Sequence, residues 1–179
     1  MSHSEAEFRI RGLAPLPTDG CLVVLEEVGG ARLLPIHTGS HEAQALALEA
    51  SGFAPSRPLT YELLVSLLST VGWAVKRIVV TEVKSEVFYA RIFLEKDGEE
   101  RSVDARPSDA LNVALRARCP IFVAQSVFDQ AEAILKPIAA DELARFKEQL
   151  AKEDPSAAFA ALEGTPAPKE PGGEGPGPA

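Results

Sequence analysis

The sequence predicts an α+β fold, an internally duplicated unit of three strands and a helix, with helices packed on a mixed or antiparallel sheet. Three observations predict it. Strand-like runs come in groups before each helix rather than alternating with single helices, which disfavours a strictly parallel α/β sheet. The pattern recurs after about 67 residues. A chain of 179 residues that is 46% apolar can also build one core without disulfide or metal staples.

Each element follows from local pattern. FRIRGLAP, CLVVLEEV and ARLLPIH read as strands, and Gly29-Gly30 gives the last two a hairpin turn. SHEAQALALEASG has helical spacing and closes at Gly52. TYELLVSLLSTVG starts with Thr60 as N-cap, stops at Gly72, and offers Leu63, Leu64, Leu67 and Leu68 as a buried face. Three further strands follow, AVKRIVVTEV, EVFYARIFLE and ERSVDA, with Asp97-Gly98 turning the latter pair. Phe88 and Tyr89 point to opposite faces, which leaves surface exposure of one of them open, with core packing the default reading. A helix over SDALNVALRAR, a short strand PIFVA and a helix around FDQAEAILK complete the body, residues 6–135.

In the repeat, FRIRGLA falls on VKRIVVT, CLVVLEEV on FYARIFLE, and HEAQALAL on SDALNVAL, with Glu42 over Asp109. Residues 136–160 form a helical extension with Leu143, Phe146 and Leu150 at helical spacing, and residues 161–179, rich in Pro and Gly, read as disordered.

Charge and cysteine usage narrow the function classes. The formal net charge is −8, which argues against a general electrostatic grip on nucleic acid. A local basic groove lined by Arg57, Arg106, Arg116 and Arg118 remains open. Cys21 and Cys119 form no C-x-x-C pair and read as buried thiols in a reducing compartment. The first residues lack the pattern of a signal peptide, and no apolar run reaches membrane-spanning length, so the expected location is cytoplasmic. The P-loop, dinucleotide-binding and nucleophile-elbow motifs are all missing.

The informative stretch is VDARPSDALNVAL, Val103 to Leu115, where a strand meets a proline and becomes a helix. Pro107 suits the first helical position, Ser108 can satisfy free amides, and Asp109 favours the positive helix end. Arg106 does not fit that capping account, because a cation belongs at the opposite end of a helix. An alternative is phosphate handling. Free helix-start amides and an arginine fork suit a phosphate, and Asp104 and Asp109 can hold a divalent ion beside it. The equivalent place in the first half, PIHTGSHEA, puts His37, His41 and Glu42 over Asp104, Ser108 and Asp109. These histidines are either solvated and capping, or an acid/base or ligand pair. A second Arg-Pro corner, Arg57-Pro58, precedes Thr60 and Tyr61. Tyr61 either stacks on a base or packs with a wet hydroxyl.

LLPIHTGSHEAQALAL, RPLTYELLVSLLSTVG, VFYARIFL and VDARPSDALNVALRARCPIFV together resemble the bifunctional nuclease domain family over roughly residues 8–131. The resemblance implies a duplicated α+β architecture, frequent oligomerisation, and cleavage of both RNA and DNA as described for plant and some bacterial members. Positions matching its strongest motifs are Glu42, Arg57, Pro58, Thr60, Asp104, Arg106, Pro107, Ser108 and Asp109. Two departures stand out. Tyr61-Glu62 replaces a usual His-Asp, and His37 replaces an apolar residue. A tyrosine, with an ordinary pKa of about 10, cannot easily replace a histidine base.

The expected function is therefore a nuclease acting on RNA and DNA with little sequence preference, as a homo-oligomer without membrane attachment. Asp104, Asp109 and Glu42 would bind magnesium or manganese. Arg106 and Arg57 would hold the phosphate, with Thr60, Tyr61 and Ser108 lining the substrate site, and His41 would transfer the proton. The rival is a non-catalytic scaffold or regulatory module of the same fold.

Overall fold

The computed structural model describes residues 4–16, 20–30 and 32–135. The elements run β1 (Glu5–Pro15), β2 (Cys21–Glu27), β3 (Leu33–Thr38), α1 (Ser40–Ala50), α2 (Thr60–Thr70), β4 (Ala74–Lys84), β5 (Val87–Lys96), β6 (Glu99–Ala105), α3 (Pro107–Ala117), β7 (Ile121–Ala124) and α4 (Gln125–Leu135). The expected C-terminal helix and the Pro/Gly tail lie outside the described residues.

All seven strands form one mixed sheet in the order β3-β2-β1-β7-β4-β5-β6. Two antiparallel meanders, β1–β3 and β4–β6, meet at β7, which pairs antiparallel with β1 and parallel with β4. Each meander leads into an 11-residue helix. The helix starts, Ser40 and Pro107, and the helix ends, Ala50 and Ala117, are both 67 residues apart. The residues before the two helices share one backbone geometry, with φ and ψ of −63° and 154° at Gly39 and −66° and 146° at Arg106. This shared start brings Glu42 and Asp109 to the same helical position.

Alternation along the strands divides the sheet into two faces. Phe8, Leu25, Leu34, Ile36, Ile78, Val80 and Val123 turn inward to one core cluster with Leu46 of α1, Leu111 of α3 and Val127 of α4. Phe128 stacks on Phe8 at 5.4 Å between ring centroids. Across the other face, Arg9 pairs with Glu26, Arg77 with Glu100, and Arg91 with Ser102. Phe88 packs against the core while Tyr89, its neighbour, is exposed, as the alternation requires. Cys21 is buried and Cys119 half-buried, and both are free thiols. Burial pushes the Cys119 thiol up to about 11. Among the described residues no helix is long and apolar enough to cross a membrane.

Two expectations about α2 are corrected. Thr60 is not the N-cap. Leu59 occupies that position, Thr60 is the first helical residue, and no side chain caps the helix. The leucine face is not core either. Leu63, Leu64 and Leu67 are 51%, 41% and 56% exposed, and α2 has no fully buried residue. The helix is apolar on both sides. It docks through Tyr61, Val65 and Leu68, which pack on the core, and spacing alone does not say which of two apolar sides faces inward.

The hairpin turns show one strain that composition did not flag. Asp97-Gly98 adopts positive φ at both positions, 52° and 83°, the conformation that sequence favours. The β4–β5 turn does the same with Ser85 (φ 48°) and Glu86 (φ 67°), residues with no intrinsic preference for it. The double substitution Ser85→Asn/Glu86→Gly is expected to raise stability by about 0.5–1 kcal/mol, read as a higher urea midpoint with an unchanged slope.

Candidate active site

The site grows from the seam between α1 and α3. Asn112, on the buried side of α3 beside Leu111 and Val113, has no solvent exposure. Its amide nitrogen donates to the carbonyls of Glu42 on α1 and Ser108 on its own helix, both at 3.0 Å. Its amide oxygen accepts from Arg116 at 3.0 Å. All the side chain's main bonds are therefore made, which is what a buried amide requires. Arg116, with its side chain only 4% exposed, also reaches the Ala45 carbonyl on α1 and the Glu62 carboxylate on α2. One guanidinium thus ties three helices together. Burial, the largest single influence, raises the Glu62 carboxyl pKa, but the Arg116 bond and charge together with backbone hydrogen bonds outweigh it and the net shift is downward. The second Glu62 oxygen is buried with no hydrogen-bond partner among the described residues.

Nearer the surface, the two helix starts are joined by Arg106. Its guanidinium bonds Glu42 at 2.8 Å and Asp109 at 2.7 and 3.0 Å. Its place before α3 is therefore explained by two acids, one from each helix start, rather than by the helix dipole. Tyr61 donates its hydroxyl to Asp109 at 2.7 Å. Burial, followed by that bond and the Asp109 charge, pushes the tyrosine well above its ordinary value of 10.0. It is a hydrogen-bond donor here and not a base. Burial raises the Asp109 carboxyl pKa as well, yet the bonds from Arg106 and Tyr61 prevail and hold it below its ordinary 3.8.

These groups line a cleft of about 600 Å³ between α1, α2 and α3, with His41, Glu42, Thr60, Tyr61, Arg106, Asp109 and Arg116 among its walls. The structure thus brings together six of the sequence-predicted site residues, with Arg116 of the expected basic groove beside them. Three others lie elsewhere. Asp104 is exposed on β6, opposite Arg91, and does not line the cleft. Arg57 is exposed before α2 and does not line it. Ser108 is only 8% exposed and faces a separate recess beside His37 and Phe88, and no side chain caps α3. Of the expected basic groove, Arg106 and Arg116 are present and Arg57 and Arg118 are not.

The three residues of the expected ion site, Asp104, Asp109 and Glu42, are not gathered in one place. Glu42 and Asp109 share the Arg106 guanidinium, Asp104 stands outside, and no group of three or more metal-binding side chains occurs among the described residues. An ion held by Glu42 and Asp109 would take the place of the Arg106 guanidinium between them. Asn112 escaped the sequence reading. The signal available was its position, one polar amide on a buried apolar helix face, four residues before Arg116.

Residues 23–136 match the sequence model of the bifunctional nuclease domain, a span that contains all three cleft helices. The chain belongs to this family. An uncharacterized protein of Mycobacterium tuberculosis is 34% identical over 159 residues, covering 83% of this chain and 95% of that one. Bifunctional nuclease 1 of Oryza sativa subsp. japonica is 32% identical over 119 residues, 65% of this chain and 35% of that one. Bifunctional nuclease 1 of Arabidopsis thaliana is 33% identical over 113 residues, with 62% and 34% covered. This chain spans about a third of the length of these plant nucleases. Within the bifunctional nuclease domain the cleft is thus part of the matched core, whereas β1 lies before it.

Two outcomes are expected of the network. Arg116→Ala leaves the half-buried Glu62 carboxylate and the buried Asn112 amide oxygen without this partner, and should cost about 2–3 kcal/mol in urea unfolding. Asp109→Asn should cost stability only where the carboxylate is charged. Its folded pKa lies below the unfolded value, so its contribution is present above pH 3.8 and vanishes as pH falls through the depressed value. The difference in urea midpoint between wild type and Asp109→Asn should therefore close in acid.

Proposed function

We propose that this chain is a nuclease that hydrolyses phosphodiester bonds of RNA and DNA in the α1–α2–α3 cleft. The observation that carries the reading is the meeting of Glu42, Tyr61, Arg106 and Asp109 at an open cleft in a chain of the bifunctional nuclease domain family. The Arg106 side chain is 65% exposed, so an incoming phosphate can take guanidinium donors in exchange for Glu42. In that position Arg106 stabilises charge developing on the phosphorus oxygens. Asp109 orients the guanidinium, and Tyr61 orients Asp109. His41, exposed at the cleft rim, is the side chain placed to transfer the proton. Magnesium or manganese is tested as a separate requirement, and no step is assigned to it.

The rival reading, a non-catalytic binding module, is favoured by charge. Four carboxylates, Glu42, Glu49, Glu62 and Asp109, surround the two cleft arginines. An entering phosphate meets a net negative surround. The tyrosine hydroxyl also holds its proton where the family carries a histidine.

Cleavage of labelled RNA and single-stranded DNA by the purified chain, with and without chelator, separates the two. Arg106→Ala should lower the rate by about 100-fold or more, and His41→Ala by a similar factor. Asp104→Ala, outside the cleft, should stay near wild type. Salt-sensitive binding without turnover would establish the binding module instead, and an Arg106→Ala variant as active as wild type would remove the cleft from the reaction.

A further inference from the structure

Taking Arg106 as the phosphate ligand of the proposed reaction, we infer that the recess sharing this arginine with the cleft binds a nucleobase of the same strand. Arg106 lines both hollows. The second is a recess of about 310 Å³ between the end of β3, the β4–β5 turn and the start of α3. That volume lies at the lower edge of ligand pockets, about 300–1,000 Å³, and suits one ring system. A base is joined to its phosphate through a single sugar, so a strand laid over Arg106 has a base within reach of the recess.

The walls have the chemistry that a flat heteroaromatic ring requires. Ile36, Val87, Phe88 and Pro107 supply apolar surface, and Phe88 and His37 supply rings for stacking. Gly20 backs the His37 ring, and a Cβ there would come within 3.0 Å of two ring atoms. The polar groups are few and uncommitted. Ser108 is nine-tenths buried, and although its carbonyl accepts from Asn112, its hydroxyl makes no hydrogen bond among the described residues. Buried polar groups ordinarily have a partner. No side chain caps α3, and its first helical bond is made by the Ala110 amide, so the Ser108 and Asp109 amides have no helical acceptor.

The same walls decide between a base and a second phosphate. Most of the lining is apolar, and Glu86, its one carboxylate, stands exposed on the turn and repels an anion. An uncharged ring meets neither penalty. The Ser108 hydroxyl both donates and accepts, and turns to suit its partner. The recess therefore holds a ring by shape and stacking, with no fixed donor pattern to select one base.

Nuclear magnetic resonance titration of the full chain with cytidine monophosphate, and with ribose phosphate as the same molecule without its base, tests the assignment at millimolar ligand. The amide signals of Val87, Phe88 and Ser108 should move with the nucleotide, and ribose phosphate should bind at least about 10-fold more weakly. Ser108→Ala should weaken the nucleotide about 3–10-fold without lowering the melting temperature, because no hydrogen bond within the chain is lost. Phe88→Leu, which keeps an apolar side chain against the core, should weaken it by about 10-fold. Equal affinity for the two ligands overturns the inference, as does an absence of nucleotide binding. Signal changes confined to His41 and Thr60 of the cleft, or a Ser108→Ala variant that binds as wild type does, overturn it equally. Strand cleavage is read separately. A chain that binds the base here and cleaves nothing keeps the recess and loses the reaction, and a chain that cleaves without base binding does the reverse.

Discussion

The buried seam between α1 and α3 is the constraint on which the rest depends. Two meanders of the sheet each deliver a helix to the same face, and the helices meet where Asn112 has no access to water. A buried amide costs about 1–3 kcal/mol when left unpaired. Here it is paired to the Glu42 carbonyl, the Ser108 carbonyl and Arg116. Those bonds set how far α1 slides along α3, and a shift of one turn would break all the cross-helix ones. The register in turn decides that Glu42 and Asp109 end up on either side of one guanidinium.

The cleft follows from that register and from the way charge is shared within it. Arg106 is exposed but engaged, and Arg116 is buried and engaged. Exposed pairs contribute little to stability and exchange readily, whereas a buried guanidinium with several acceptors is fixed. The two arginines thus have different work. Arg116 holds α2 on the body through Glu62, and Arg106 stays available at the mouth. Tyr61 fits this arrangement, because a protonated hydroxyl can satisfy an Asp109 oxygen that a second charged group would otherwise have to meet.

Helix α2 is held on one side by an ion pair and three half-buried residues, and shows leucine to solvent on the other. Its apolar character was evident from composition, and its orientation was not. A helix with two apolar sides satisfies the same periodicity whichever side is buried. What selected the inner side was the position of Arg116, some fifty residues later in the chain, together with the space left beside α3 for Tyr61, Val65 and Leu68.

By itself the sequence determined the elements: strands from alternation, helices from spacing, the Asp97-Gly98 turn from the tolerance of those residues for positive φ, and the 67-residue recurrence that places Glu42 and Asp109 alike. These are legible because local sterics and the burial of one face act on neighbouring residues. Only the tertiary structure decided that β7 joins the two meanders, that Asp104 and Arg57 fall outside the cleft, that Glu42 and Asp109 share Arg106 while Asp104 stands apart, and that the α2 leucines face outward. Each of those outcomes is a contact between residues far apart in the chain. Side-chain pairing across such distances is settled by helix register and by desolvation, neither of which leaves a local pattern in the sequence.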